Sequence, residues 1–379
     1  MSKKYHIALV SNTTWNIFNF RLNIIERLIR DGHQVSVISP VDEYIVYKEE
    51  YPSIQHYNLY NLERDSTNPI QDIKLGIELY KLYKKISPDL IVHYTVKPNI
   101  YGGIAAGILK IPSLAVVTGL GYSFIHKGLI KFTTKRLYKL AAGFHSTVIF
   151  ENFDDKQLFN DLNIVSEQKS LAIKGCGVNT RFYKPKNSDP KNDKAVFTFI
   201  GRLLYDKGVV EFVEAASIVK ESNGNVEFWL IGELDQGNPS MIKKADLVKW
   251  VKEETVIYKG TVKDVRPIIV DSNCIVLPSY REGLPRVLLE AASMSTPIIT
   301  TNVAGCRETV ENGNNGLLVP VRNSKALANA MLHFLSLGKE KWVEMGMEGR
   351  RKAVSEFDDR LIAEQIIQII SQTLEKPSI

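Results

Sequence analysis

The chain has 379 residues, 44% hydrophobic and 24% charged, an ordinary globular composition with length enough for two domains. No run approaches 18 uninterrupted apolar residues, so no spanning helix is expected. The net charge of +6 is uneven: residues 1–190 hold 24 basic and 17 acidic side chains, and no acid lies between Asp89 and Glu151, so the first half is the expected partner of something anionic.

The N-terminus is basic but lacks the long apolar core and small-residue cleavage site of a signal peptide. It leads straight into a strand, His6 to Ser11, followed by a helix from Phe20 to Asp31 closed by Gly32, and a strand from Gln34 to Ser39. Strands follow at Leu90–Tyr94, Ser113–Val117, Thr147–Phe150 and Ser170–Lys174, with a small-residue helix from Ile100 to Leu109. The polar, proline-bearing stretch 184–193 reads as a linker or exposed loop. The rhythm then restarts with strand Ala195–Ile200, helix Val209–Lys220 and strand Val226–Ile231. Further strands are expected at Val256–Tyr258, Cys274–Leu277, Pro297–Thr300 and Gly316–Val319, and a closing helix runs from Phe357 to Leu374. This alternation predicts an α/β chain of two Rossmann-like, doubly wound parallel-sheet domains facing across a cleft. The expected division is 1–172 and 173–356, with the helical segment 357–379 packing back on the first domain.

Cys176, Cys274 and Cys306 have neither metal-ligand spacing nor even pairing, so each reads as a small buried residue in a reducing cytoplasm. No metal-ligand cluster or Asp-x-Asp motif is visible, so no cofactor and no metal requirement are expected.

Ligands of open parallel sheets bind at the carboxyl ends of strands. Four polar sets of the second domain fall there. Gly201-Arg-Leu-Leu-Tyr-Asp-Lys-Gly208 offers a close backbone turn at Gly201, a planar fork at Arg202 and a point charge at Lys207, suited to a diphosphate. The second and third sets are Gly232 to Gly237 and Gly260-Thr-Val-Lys-Asp264. The fourth, Pro278 to Glu290, holds Glu282 in a loop, Gly283 and Pro285 where a helix begins, and Glu290 roughly a turn and a half inside that helix, Arg286 to Met294. Unsatisfied NH groups at such a helix start suit phosphate, with carboxylates nearby to accept hydroxyl hydrogens.

With these motifs the chain resembles the family 4 glycosyltransferases, retaining enzymes of the GT-B architecture, most specifically between Phe199 and Val319. Within that family it is most similar to transferases acting on undecaprenyl-diphosphate sugars, through Asn19-Phe-Arg-Leu22, Thr118-Gly-Leu-Gly121, Lys207-Gly-Val209 and Leu277 to Gly283. The resemblance implies that Arg202 and Lys207 bind the donor diphosphate and stabilise the departing nucleotide, and that Glu282 contacts the donor sugar. It also implies that Glu290 accepts the ribose hydroxyls, the backbone around Gly283, Leu284, Pro285 and Arg286 holds phosphate, and Thr261 and Val262 lie near the base, with Gly201 and Gly232 lining the site. The implied donor is a UDP-sugar, of an N-acetylhexosamine, and the implied acceptor a polyprenyl-diphosphate-linked saccharide. On the acceptor side Thr118, Gly119 and Gly121 line the site through backbone groups and Asn16 meets an acceptor phosphate. Arg21 either does the same or lies on the helix surface. The chain departs from many relatives by reading Ser11-Asn-Thr-Thr-Trp15 where a glycine pair is common, and Thr118 where a histidine is common.

Lys127, Lys131, Lys135 and Lys139 recur every four residues, beside Arg136 and interleaved with Phe132, Leu137, Tyr138 and Leu140. A helix there would show a basic face with apolar neighbours, suited to an anionic membrane surface. The segment has no nucleic-acid-reading motif. The expectation is a glycosyltransferase held peripherally on the cytoplasmic face of the plasma membrane. The rivals are a UDP-sugar 2-epimerase on the same fold and a catalytically silent nucleotide-sugar-binding protein.

Overall fold

The computed structural model describes residues 3–63, 68–120, 129–185 and 194–375, without the side chains of 129–131. The chain divides into two units, Met1–Cys176 with Asp359–Ile379, and Gly177–Asp358.

The first unit runs β1 (His6–Val10), α1 (Thr14–Phe20), α2 (Leu22–Arg30), β2 (Gln34–Ile38), α3 (Tyr47–Glu50), β3 (Gln55–Tyr57), α4 (Pro69–Ile86), β4 (Leu90–Tyr94), α5 (Gly103–Ile108), β5 (Ser113–Val117), α6 (Leu129–Phe144), β6 (Thr147–Phe150), α7 (Phe153–Asp161) and β7 (Ser170–Ala172). All seven strands are parallel, in the order β3-β2-β1-β4-β5-β6-β7. Side chains alternate across the sheet. Ile7 and Leu9 pack with Ile24, Ile25 and Leu28 of α2, whereas Ala8 and Val10 pack with Leu75, Leu79 and Tyr83 of α4. The second unit runs β8 (Ala195–Ile200), α8 (Val209–Ser222), β9 (Val226–Ile231), α9 (Lys244–Lys252), β10 (Ile257–Gly260), α10 (Arg266–Val270), β11 (Cys274–Leu277), α11 (Arg286–Ser293), β12 (Ile298–Thr301), β13 (Gly316–Val319) and α12 (Ser324–Glu356). Its six parallel strands are ordered β10-β9-β8-β11-β12-β13. Its core centres on Phe197, Phe199, Phe212, Phe228 and Phe334, with Phe197 and Phe228 stacked at 5.5 Å. The last helix, α13 (Asp359–Glu375), buries Ile362, Ile366 and Ile370 against α2 of the first unit.

The expected doubly wound alternation is present in both units, with differences at particular elements. The helix expected from Phe20 begins six residues earlier and is broken at Arg21, whose φ of −126° and ψ of −5° lie outside the helical region. The break has a physical cause. Arg21 is 1% exposed, its guanidinium paired with Glu151 at 3.1 Å and lying 4.2 Å from the Tyr94 ring centroid. Reaching those partners turns the side chain beneath the sheet edge, so the helix-surface reading of Arg21 is overturned, and the group is held by Glu151 rather than presented outward. The helix expected over Ile100–Leu109 opens with a π-turn, Pro98–Gly102. Gly102 and Gly103 are pressed against His93 and His145, where a Cβ would lie 2.4 Å and 2.3 Å from the imidazoles. Strand β3 and helix α4 carry no clear sequence signal. The strand is three residues long, and the helix is apolar on two faces, which blurs the helical period.

Two predictions concern the first unit. Removing one partner of a buried ion pair leaves the other charge uncompensated, so Arg21→Met should lower unfolding stability by about 3–5 kcal/mol, read by urea denaturation. His93 and His145 are fully buried, His93 bonded to Tyr83 Oη at 2.9 Å and His145 to Ser113 Oγ at 2.9 Å and Asn99 O at 2.8 Å. Burial holds both neutral, lowering His93 well below the usual value of 6.5 and His145 to about 4. Below pH 6.5 the unfolded chain takes up protons that the folded chain refuses. Stability should therefore be full above that pH and fall toward pH 4, by about 1.4 kcal/mol per pH unit for each histidine. Urea midpoints across that range check it, and His145→Gln should flatten the slope.

Candidate functional site

In the second unit strand order reverses between β8 and β11, the switch point where open α/β sheets bind ligands. The loops after β8, β9 and β11 meet there. The strand tips approach closely: Gly232, at φ +144°, has no room for a Cβ, which would lie 1.8 Å from Gly201 O. Gly208, at φ +75°, is packed against Pro278 O, where a Cβ would lie 2.1 Å away. These contacts bring the Arg202–Lys207 loop beside the Glu282 loop.

Three cations in the loops and helix start at this edge each lie beside a carboxylate. Arg202 Nη1 donates to Asp235 Oδ2 at 2.5 Å, and Asp235 also accepts from Asn238 Nδ2 at 3.0 Å. Lys207 Nζ pairs with Glu282 Oε1. The same oxygen accepts from Ser279 Oγ at 2.7 Å, and the Glu282 NH donates to Ala304 O at 3.2 Å. Arg286 Nε lies 3.0 Å from Glu290 Oε1, one turn along α11. Glu290 is 8% exposed and also hydrogen-bonded to the Tyr183 hydroxyl. Burial pushes its carboxyl above the ordinary value, and the Arg286 charge opposes the shift. Burial, then the charge on Glu290, raise the Tyr183 hydroxyl above the usual phenol range.

Helix α11 begins after Pro285, with no side-chain cap hydrogen bond and no acid in its first turn, and such a helix start carries partial positive charge. Leu284 packs inward with Val178, Leu289 and Phe357, which fixes the backbone of 283–286. Thr261 is exposed after β10 and Val262 packs on the core. Cys306 is fully buried nearby, and burial, then the Glu282 charge, push its thiol up to about 12, in keeping with an inert packing residue. Asp235, Ser279 and Tyr183 were missed by sequence reasoning. Asp235 lies in a loop the sequence marks as polar, but Tyr183 is more than a hundred residues from Glu290 and carries no local signal.

The residues expected to face an acceptor follow strands β1 and β5 of the seven-stranded sheet. Asn16 is buried in α1, its NH capped by Thr13 Oγ1 at 3.1 Å. Thr118 and Gly119 follow β5, both half-buried. Gly121 and Lys127 lie outside the described residues, and Lys131 is in α6 with its side chain outside them. Lys135 is half-buried, while Arg136 and Lys139 are exposed, Arg136 over the Phe132 ring at 4.3 Å. Tyr138 is not on that surface but in the core. Among the described residues no helix is long and apolar enough to cross a membrane.

Comparison with known proteins follows the same division. Residues 6–152 match a model described as glycosyl transferase 4-like, and residues 194–336 match glycosyl transferases group 1. The chain is 29% identical to the N,N'-diacetylbacillosaminyl-diphospho-undecaprenol alpha-1,3-N-acetylgalactosaminyltransferase of Campylobacter jejuni, over 97% of this chain and 99% of that one. It is 28% identical to the UDP-Gal:alpha-D-GlcNAc-diphosphoundecaprenol alpha-1,3-galactosyltransferase of Escherichia coli, over 69% and 70%. Among solved structures, a glycosyltransferase from Rickettsia africae superposes with a TM-score of 0.80 at 20% identity, covering 99% of this chain and all of that one. The chain therefore belongs to the GT-B glycosyltransferases, joining a 4-like first domain to a group 1 second domain, and is a hexosyltransferase.

Proposed function

We propose that this chain moves an N-acetylhexosamine from a UDP-sugar to a polyprenyl-diphosphate-linked saccharide during surface polysaccharide or glycan assembly, with retention of anomeric configuration. The observation that carries the donor half is that Lys207, from the loop after β8, pairs with Glu282 in the loop that leads into the uncapped α11, with Arg202 in the same β8 loop and Arg286 in the first turn of α11, at the switch point of the six-stranded sheet. That edge has the chemistry of a diphosphate site. Arg202 and Lys207 stabilise the charge that develops on the leaving nucleotide. Since both are already paired with carboxylates, binding the diphosphate is an exchange of partners. Lys207 then releases Glu282 to the donor sugar, and Glu290 accepts the ribose hydroxyls. The acceptor hydroxyl attacks from the face the nucleotide leaves, and donor phosphate oxygen takes its proton. The acceptor class is supported by the two relatives named for transfer to diphospho-undecaprenol sugars. The first domain takes the acceptor, at Asn16, Thr118 and Gly119, and the basic face of α6 holds the enzyme on the cytoplasmic face of the membrane.

Two measurements test this. In a thermal-shift panel of UDP, GDP and ADP, UDP at 100 times its Kd should stabilise the protein by about 2.7 kcal/mol, and Glu290→Ala should weaken that response. A GDP-selective shift would overturn the donor, and no shift at all would overturn the site. Lys207→Ala should lower kcat by about a hundredfold or more with a smaller change in KM, the pattern of a contact realised in the transition state. An equal fall in donor affinity with kcat intact would make Lys207 a binding residue only. Donor incubated alone should stay unchanged by NMR, since a 2-epimerase would convert it.

A further inference from the structure

Helix α4 is apolar on both sides. Leu75, Leu79 and Tyr83 are buried against the sheet, as a surface helix requires. On the opposite side Ile70, Ile73 and Ile77 are 65%, 62% and 50% exposed. Single exposed isoleucines are ordinary, but these three align. At 3.6 residues per turn they share an arc of about 120° with Lys74, Lys81, Lys84 and Lys85, all four exposed, and no acidic residue falls within it. The helix does not need this face to fold, because its packing is complete on the inner side.

A groove of about 510 Å³ runs along the same helix, lined by Lys74, Lys81 and Lys85 with Asn58 and Asn61 of the segment after β3. Its one carboxylate among the described residues, Glu78, is already occupied, accepting from the Tyr60 and Asn61 NH groups at 2.9 and 3.0 Å and from Asn61 Nδ2 at 2.9 Å. The groove, with Ile77 and Leu82 also in its wall, is therefore a cationic slot that is continuous with the apolar stripe. A second copy of the chain would be a poor occupant, since a two-fold contact sets the same lysines against each other. A surface with phosphate headgroups above acyl chains satisfies both halves.

We propose that the outer face of α4 docks on an anionic phospholipid bilayer, the isoleucines entering the headgroup boundary and the lysine groove taking lipid phosphate. The proposal rests on the peripheral-membrane reading above and deepens it. Helices α4 and α6 both pack against α5 on one side of the sheet, so this face adds a second contact and holds the domain in one orientation.

The test uses the full chain and vesicles of phosphatidylcholine with or without phosphatidylglycerol. Ile73→Trp should show blue-shifted emission and quenching by spin-labelled lipid, relative to wild type, on phosphatidylglycerol vesicles only. Ile73→Ser/Ile77→Ser and Lys74→Glu/Lys81→Glu/Lys85→Glu should each cut sedimentation with those vesicles at least tenfold while keeping the wild-type response to UDP, which reports folding. If the α4 variants bind as wild type and only Lys135→Glu/Arg136→Glu/Lys139→Glu releases the protein, docking through α6 stands and this proposal is overturned. If wild type does not bind anionic vesicles, both fall. A wild-type dimer in solution that Ile73→Ser/Ile77→Ser converts to monomer would make the occupant a second copy and would also overturn it.

Discussion

In a parallel sheet every strand delivers its carboxyl end to the same edge, and the candidate site depends on that constraint. Lys207 and Glu282 are 75 positions apart and Arg202 and Asp235 are 33 apart, yet each pair is in contact because β8, β9 and β11 are neighbours ending at one level. The hydrophobic cores below serve this arrangement. Phenylalanines of β8 and β9 pack ring to ring, fixing strand register, and register fixes which loop residues meet.

Electrostatics then shapes what the edge can do. Each of the three cations at this edge is offset by a carboxylate in a partly desolvated setting. The pairs differ in burial. Arg202 keeps about a third of its side chain in solvent, whereas the Glu290 carboxylate is enclosed by Arg286 and Tyr183. An exposed pair exchanges partners at little cost, and an enclosed one holds its geometry. This difference matches the division of labour proposed between Arg202, which meets a charge that comes and goes, and Glu290, which positions a neutral ribose; the Lys207–Glu282 pair is as enclosed as Arg286–Glu290, so the incoming diphosphate must replace its carboxylate.

The first unit uses its most enclosed ion pair among the described residues differently. Arg21 and Glu151 tie the break between α1 and α2 to the end of β6, so this part of the sheet's carboxyl edge is set by a contact across 130 residues. Burial pushes the Glu151 carboxyl up and the Arg21 guanidinium opposes it, so the charge on one partner depends on the other. On the opposite side of this sheet the helical layer turns apolar and basic side chains outward, and the outer face of α4 is exposed well beyond the needs of its own core.

The doubly wound alternation, both domain types and the candidate cations and carboxylates were legible in the sequence, because strand runs bounded by glycine and the polar loops after them are local signals. Ala195–Ile200, Gly201 to Gly208 and Pro278 to Glu290 are read within a dozen residues each. The break at Arg21 was not legible, nor the clasp of Tyr183 on Glu290, nor the pairing of Asp235 with Arg202, since each depends on a partner brought close only by the folded sheet. Helix α4 escaped notice for the converse reason, its second apolar face cancelling the period that marks a helix. The sequence by itself determined which groups are present and that they lie at strand ends. Only the tertiary structure decided which charges face one another and which are buried, because those depend on strand order and register, which local patterns do not encode.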